Sequence, residues 1–315
     1  DFRASGSWNR LWKDIHLTNV YAGMEVNAID YNQSYFNGWG MQYDMGETPF
    51  YTYLFLKQMV EQGLNYFSLG NNHVRSAAFF MNANYAYKER YSVNGTIRYE
   101  GTNRMGKSRQ ARWLPTWNIS GRWNIDQENF FEPLRDYVSL LAFKVSYSLT
   151  GDRGPNISNS TAIISSTTPF RPFTSVQESG MQLYSLENSE LTYEKKNELN
   201  FGLDIGLLKN RINVTMDYYT RNNHDLIGVT NTQGVGGETK KYANIASMKS
   251  HGFELSISSR NIQRKNFSWT TDFIFSTYKN EVTELDAVAS TMDYISGTGF
   301  TMEGYPARGL FSIKF

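Results

Sequence analysis

The sequence predicts an all-β protein: an antiparallel, up-and-down transmembrane β-barrel wall, crossing the bilayer with strands rather than helices. Three observations carry this prediction. They are a strict alternation of apolar and polar residues, a regular exchange of short and long connections, and a composition rich in rings but poor in apolar runs. The alternation is clearest in residues 191–227. Leu199, Phe201, Leu203 and Ile205 interleave with Asn200, Gly202, Asp204 and Gly206, and Ile212, Val214, Met216 and Tyr218 interleave with Asn213, Thr215, Asp217 and Tyr219. Side chains change face at every residue of a strand, so each segment has one greasy and one wet face. Leu208, Lys209, Asn210 and Arg211 leave room only for a hairpin turn. Tyr218 and Tyr219 fall near the far end, where an interfacial aromatic girdle is expected.

The 315 residues are 40% hydrophobic and 15% aromatic, with 21 Tyr, 20 Phe and no Cys. A mean hydropathy of −0.51, with no run near the roughly 18 apolar residues of a membrane helix, excludes a helical bundle in lipid. Strands that meet lipid on one side and water on the other escape that test. Absence of Cys excludes a small disulfide-stapled domain and is compatible with export to the periplasm. A net charge of +1 argues against nucleic acid or another polyanion as partner. The chain opens at Asp1 without a signal peptide, although such a barrel must be exported, and is read as a fragment.

Strands are expected at 12–25, 77–88, 91–100, 112–123, 138–149, 197–207, 211–221, 250–260, 266–278 and 307–315. The links at 89–90, 124–137, 208–210 and 261–265 are short or moderate, whereas 26–76, 101–111, 150–196, 222–249 and 279–306 are longer. Outer-membrane barrels have short periplasmic turns and long extracellular loops, which puts the second set outside the cell. The Ser-, Thr- and Pro-rich stretch within 150–196 also fits an interdomain linker, but a boundary there would split one continuous strand pattern. Residues 50–62 fit a short amphipathic helix or β pairing equally.

Face assignments follow from the pleat. Leu141, Phe143, Val145, Tyr147 and Leu149 should meet lipid, with Ala142, Lys144, Ser146 and Ser148 toward water. Tyr91, Val93, Ile97 and Tyr99 oppose Ser92, Asn94, Thr96, Arg98 and Glu100, and Phe253, Leu255 and Ile257 oppose Glu254, Ser256 and Ser258. A slip of one residue would put Arg98 into lipid at a cost of about 2–4 kcal/mol, so register is strongly specified.

Catalysis finds little support. There is no Cys and no G-x-S-x-G, and His16, His73, His224 and His251 stand apart without metal-ligand spacing. Asp204 and Asp217 resemble a hydrolase pair only in type; lumen polarity accounts for both. GVGGET at 234–239 lacks the Lys and the strand-to-helix setting of a phosphate loop and reads as a turn. The sequons at Asn94 and Asn213 lie in strands and are chance matches. The residues best suited to bind a ligand are loop rings and a neighbouring charge: Trp39, Tyr43 and Phe50 in the first long loop, Arg171 and Phe173 in 150–196. Glycans and peptides bind by stacking and a few directed hydrogen bonds. Packing between loops or against a partner explains the same rings equally well.

LTYEKKNELNFGLD (191–204), followed by NRI (210–212) and DYY (217–219), resembles the SusC/RagA family of TonB-dependent outer-membrane transporters. LPTWNISGRWNIDQENFF (114–131), FKVSYSLTGDRG (143–154), NIASMKSHGFEL (244–255) and NFSWTTDFIFSTYKNEV (266–282) agree in order and spacing. Thr116, Ala246 and Ser250 stand where the family usually has Ser, Gly and Asn, and residues 27–75 match by position more than by motif. The resemblance implies part of a barrel of about 22 strands with a plugged lumen, located in the bacterial outer membrane. Residues 1–315 would be a partial barrel domain, with the plug, the TonB-binding segment and the terminal strands outside it. The implied activity is import of oligosaccharides or peptides, driven by TonB, ExbB and ExbD, with a SusD-like lipoprotein as lid and neither catalysis nor cofactor. A structural role in an outer-membrane complex and a passive porin are the alternatives.

Overall fold

The computed structural model describes residues 1–38, 40–49, 52–62, 64, 67–154, 162–167, 180–234, 240–287, 301–307 and 309. The strands are β1 (Phe2–Trp12), β2 (His16–Phe36), β3 (Met41–Gln42), β4 (Thr48–Pro49), β5 (Phe67–Tyr87), β6 (Tyr91–Thr102) and β7 (Trp113–Asn124). They continue with β8 (Val138–Asp152), β9 (Ile163–Thr167), β10 (Gly180–Ser185), β11 (Glu194–Leu207), β12 (Ile212–Asn231), β13 (Lys240–Arg264) and β14 (Phe267–Leu285). Ten of them form one sheet in the order β1-β2-β5-β6-β7-β8-β11-β12-β13-β14, antiparallel at every pairing. Neighbours in space are thus neighbours in sequence, apart from the small hairpins β3–β4 and β9–β10. This is the up-and-down wall expected from the alternation. Helix α1 (Tyr53–Glu61) lies within the expected 50–62.

The register sorts the two faces. Val145, Phe201, Tyr218 and Phe253 stand side by side in one row across four strands. The adjacent row, Asn84, Asn94, Ser120, Ser146 and Asn200, is amide and hydroxyl throughout. Phe143, Tyr147, Phe201 and Tyr218 are exposed on the apolar face, as suits side chains that meet lipid. Tyr218 and Tyr219 do not form one girdle pair. Tyr219 is buried on the wet face, where its ring lies over Gly252 so closely that a Cβ there would come within 2.5 Å of it. The Arg221 guanidinium sits 3.9 Å from the same ring's centre.

The connections β1–β2, β5–β6, β7–β8 and β11–β12 share one rim. Lys88 N donates to Ile15 O at 2.8 Å, Asn124 N to Arg90 O at 2.7 Å, and Leu208 N to Tyr137 O at 2.8 Å. Lys13 and Asp14, Lys88 and Glu89, and Leu208, Lys209 and Asn210 all have positive φ, the backbone twist that matches tight hairpins to right-twisted strands. Just inside this rim an aromatic row, Trp12, His16, Tyr87, Tyr91 and Trp123, crosses five strands. On β5 the same face then reads Tyr85, Ala83, Met81, Phe79 and Ala77 before the first charge, Arg75. At about 3.3 Å per residue and a tilt near 40°, Tyr87 to Ala77 covers about 25 Å, the height of a lipid-facing band.

Two sequence expectations need correction, and a third falls outside what is described. The strand expected at 12–25 starts only at His16, because Lys13–Ile15 is a turn that carries neither Gly nor Asn, the usual signal, and β1 before that turn was not expected. Strands extend well into the segments expected as loops, to Phe36, from Phe67, and through Asn231, Lys240 and Leu285. Above lipid both faces are wet, so alternation fades while backbone pairing persists. The strand expected at 307–315 lies almost wholly outside the described residues; just before it, Val282 N donates to Tyr305 O at 2.9 Å and Gly304 N to Val282 O at 2.8 Å along the outer edge of β14.

Candidate functional site

The wet face is a ladder of ion pairs that the pleat creates by placing charges at i and i+2 on one side. Arg98 donates to Glu25 on β2 and, at 2.7 Å, to Glu100 on its own strand. Glu100 also takes Arg153 from beyond β8. Lower down, Lys144 Nζ lies 2.9 Å from Asp204, with Arg122 3.8 Å from the same carboxylate. Glu198 pairs with Arg221 at 2.8 Å and Lys196 at 3.1 Å. These pairs are only partly covered, so water and a polar ligand compete for them and each contributes at most about 1 kcal/mol. Between them Asn82 Nδ2 donates to Thr96 at 2.7 Å and Asn94 at 3.3 Å. A cleft of about 390 Å³ opens beside Asn94, Ser120, Lys144, Asn200 and Asp217. Such a surface offers donors and acceptors in alternation and no reactive group.

Above the ladder the connections of the long-loop side lock together. Gly106 N donates to Leu191 O at 2.8 Å, Thr192 Oγ1 to Ala111 O at 3.3 Å, and Tyr193 OH to Arg112 O at 3.2 Å. Lys107 pairs with Glu187 at 2.6 Å, and Asn188 Nδ2 reaches Tyr242 O at 2.9 Å. Met105, Leu114 and Tyr193 form a small buried core beneath these bonds. Burial pushes the Tyr193 hydroxyl up to about 12, so it remains a donor at every physiological pH. Helix α2 (Arg109–Arg112) is capped by Ser108 Oγ, which accepts from Ala111 N at 3.2 Å.

Of the five residues singled out as ligand-facing, Tyr43 is described: it is 77% exposed in a single 3₁₀ turn, Tyr43–Met45, closed by Gly46 at φ 77°. Trp39, Phe50, Arg171 and Phe173 lie outside the described residues. Met45, Tyr53 and Leu54 share the first loop with Tyr43 and are likewise exposed. Sequence reasoning placed Arg98, Glu100, Lys144 and Asp204 on the wet face but missed their pairing. The signal was legible as R-Y-E at 98–100 and K-N-E at 196–198. Arg153 and the locked block depend on contacts far apart in sequence and left no such signal. Among the described residues no group of three or more His, Asp or Glu side chains is placed to hold a metal ion.

An apolar band about 25 Å tall on one face and an ion-paired polar surface on the other define the wall of an outer-membrane β-barrel. The model of the TonB-dependent receptor-like β-barrel matches residues 1–309, and the chain belongs to that family. TonB-dependent receptor P39 of Formosa agariphila is 28% identical over 97% of this chain and 28% of its own length. TonB-dependent receptor SusC of Bacteroides thetaiotaomicron is 29% identical over 66% of this chain and 21% of its own length. Among solved structures, the RagAB peptide transporter superposes with a TM-score of 0.73 at 20% identity over 90% of this chain and 30% of that one. The outer membrane transporter YddB from Escherichia coli gives 0.55 at 14% identity over 89% and 33%. The chain thus spans under a third of the length of the curated relatives it matches.

Proposed function

We propose that this chain is part of the wall of a SusC/RagA-type TonB-dependent importer that takes oligosaccharides or peptides across the outer membrane beneath a SusD-like lipoprotein lid. The observation that carries this reading is the wet face itself: a continuous run of hydrogen-bonding and ion-paired side chains from the short-turn rim to the locked block, backed by lipid-facing residues. A passage so lined accepts a large polar solute without binding it so firmly that it cannot leave. Energy enters through TonB acting on a plug supplied by other parts of the transporter. The rings of the first long loop then face either the ligand or the lid.

The test replaces residues 40–49 by a short Gly-Ser bridge in the full-length transporter, leaving the β2–β5 pairing intact. Co-purification with the lipoprotein and growth on glycan or peptide as sole carbon source are then measured. The expected result is loss of one or both with normal barrel assembly. Undiminished co-purification together with unchanged growth would remove that loop from both roles.

A further inference from the structure

We infer that the long-loop end of the apolar face seats one phosphate-bearing lipid of the outer leaflet, its acyl chain in a trough between Val26 and Trp113 and its phosphate at Arg112. The inference rests on the membrane placement of the sheet and not on what the barrel transports. Val26, Ala77, Gly101 and Trp113 face one another in a single row across β2, β5, β6 and β7. On β5 this is the last row of the apolar face before Arg75. The same four residues, together with Arg75 and Arg112, line one shallow cavity of about 250 Å³.

The trough exists because its middle positions project almost nothing, Gly101 having no side chain and Ala77 only a methyl. The Trp113 indole lies down over the sheet on one flank. It stacks on Tyr99 with ring centres 4.9 Å apart, and a Cβ at Gly101 would come within 2.5 Å of it. On the other flank Val26 stands out exposed, as does Phe79 one row lower. Arg75 closes the top, folded back so that Nη1 donates to Ile29 O and Val74 O at 3.1 Å and Nη2 lies 2.6 Å from Asp30. The hollow continues the surface that meets lipid, and an acyl chain laid in it regains the dispersion contacts that a void forfeits.

Of the two cations that line the trough, Arg75 is neutralised by Asp30. Arg112 is held by its backbone: its N–H donates to Ser108 O at 3.0 Å and its carbonyl accepts from the Tyr193 hydroxyl at 3.2 Å. Its Nε is shielded from solvent and meets no acceptor among the described residues. A charged donor without water or an acceptor is costly. A phosphate at the mouth of the trough offsets that cost by Coulomb attraction to the guanidinium without touching Nε. Trp113, next in sequence, stands at the opposite end of β7 from Trp123, at the level of the outer interfacial girdle. The apolar hollow thus lies at acyl depth with the guanidinium beside the headgroups, the order in which a lipid presents the two. A soluble anion would use Arg112 and leave the hollow bare.

The test uses the full-length transporter in detergent with lipid A, or with lipid A stripped of its phosphates, counting retained lipid by native mass spectrometry. Wild type should retain the phosphorylated form preferentially. Ala77→Trp fills the trough and should abolish retention of both forms, whereas Ala83→Trp, lower on the same face of β5, should match wild type. Arg112→Gln should lower retention of lipid A by roughly a factor of five, with the dephosphorylated form unchanged and Arg112→Lys close to wild type. If Arg112→Gln does not assemble, the comparison of Ala77→Trp with Ala83→Trp decides alone. Unchanged retention in Ala77→Trp, or equal loss in Ala77→Trp and Ala83→Trp, overturns the inference. So does displacement of lipid A by millimolar inorganic phosphate, which would assign Arg112 to a soluble anion.

Discussion

Phe201→Arg tests the assignment of faces most directly. Phe201 lies between Val145 and Tyr218 on the apolar face, its ring stacked 6.5 Å from that of Phe143. Its neighbour Asn200 lies one residue away on the wet face and lines the cleft that also contains Asp217. A guanidinium forced into lipid near the middle of the band costs about 2–4 kcal/mol. With about 1.4 kcal/mol per factor of ten, the folded-to-unfolded ratio falls roughly thirty-fold to nearly a thousand-fold. Asn200→Arg puts the same charge into a wet cleft and should cost within about 0.5 kcal/mol. Urea unfolding of the full-length transporter in phospholipid vesicles, followed by heat-modifiable electrophoretic mobility, measures both. If Asn200→Arg destabilised the barrel as much as Phe201→Arg, the register drawn above would be wrong.

Two further outcomes follow from local geometry. The Glu128 carboxyl, in the connection between β7 and β8, is held below the ordinary carboxylate range first by the Tyr91 hydroxyl, then by Trp123 Nε1 at 3.2 Å and the Arg90 guanidinium. A depressed folded value means that its stabilisation is complete above the unfolded value of about 4.3 and is lost as pH falls through the folded one. The gap in urea midpoint between wild type and Glu128→Gln should accordingly be constant near neutrality and shrink on acidification; a gap that widened in acid would reverse the sign argued here. A Cβ at Gly106 would lie 2.0 Å from Ser189 O, so Gly106→Val should part the loop from residues 186–193. Limited proteolysis there should quicken while barrel mobility on gels stays normal, and an unaltered cleavage rate would show that the block is not held by this contact.

The fold was legible wherever one face of a strand met lipid. Period-two alternation fixed which residues of β6, β8, β11, β12 and the lower half of β13 share a side, because a lipid face tolerates almost no charge and each strand repeats the constraint. Above the band that constraint disappears, and with it the signal: the outer halves of β2, β5 and β13 read as loop although their backbones pair. The turn at Lys13–Ile15 was missed for a different reason, since its positive φ values fall on Lys and Asp rather than on Gly or Asn. The site was legible only in part. Charge spacing placed Arg98, Glu100 and Lys144 on the water side, but their partners Glu25, Arg153 and Asp204 come from distant parts of the chain, and local pattern cannot reach across a sheet.

The arrangement of β2 and β5 bears on how such a wall meets what it binds. β6 leaves β5 at Ser76. Beyond that point β2 and β5 continue together to Phe36 and Phe67 as a paired ribbon, about 30 Å of paired chain. Its base is marked by Asp30, whose carboxylate lies 2.6 Å from both His73 and Arg75 on the side that lower down faces lipid, so the ribbon stands in water. With Tyr43, Met45, Tyr53 and Leu54 exposed at its tip, the ribbon carries apolar surface that gains by being covered. The chain therefore combines a wall whose two faces are fixed by lipid and water with a paired extension above lipid that presents exposed rings, and burial of those rings is what a contact there would add.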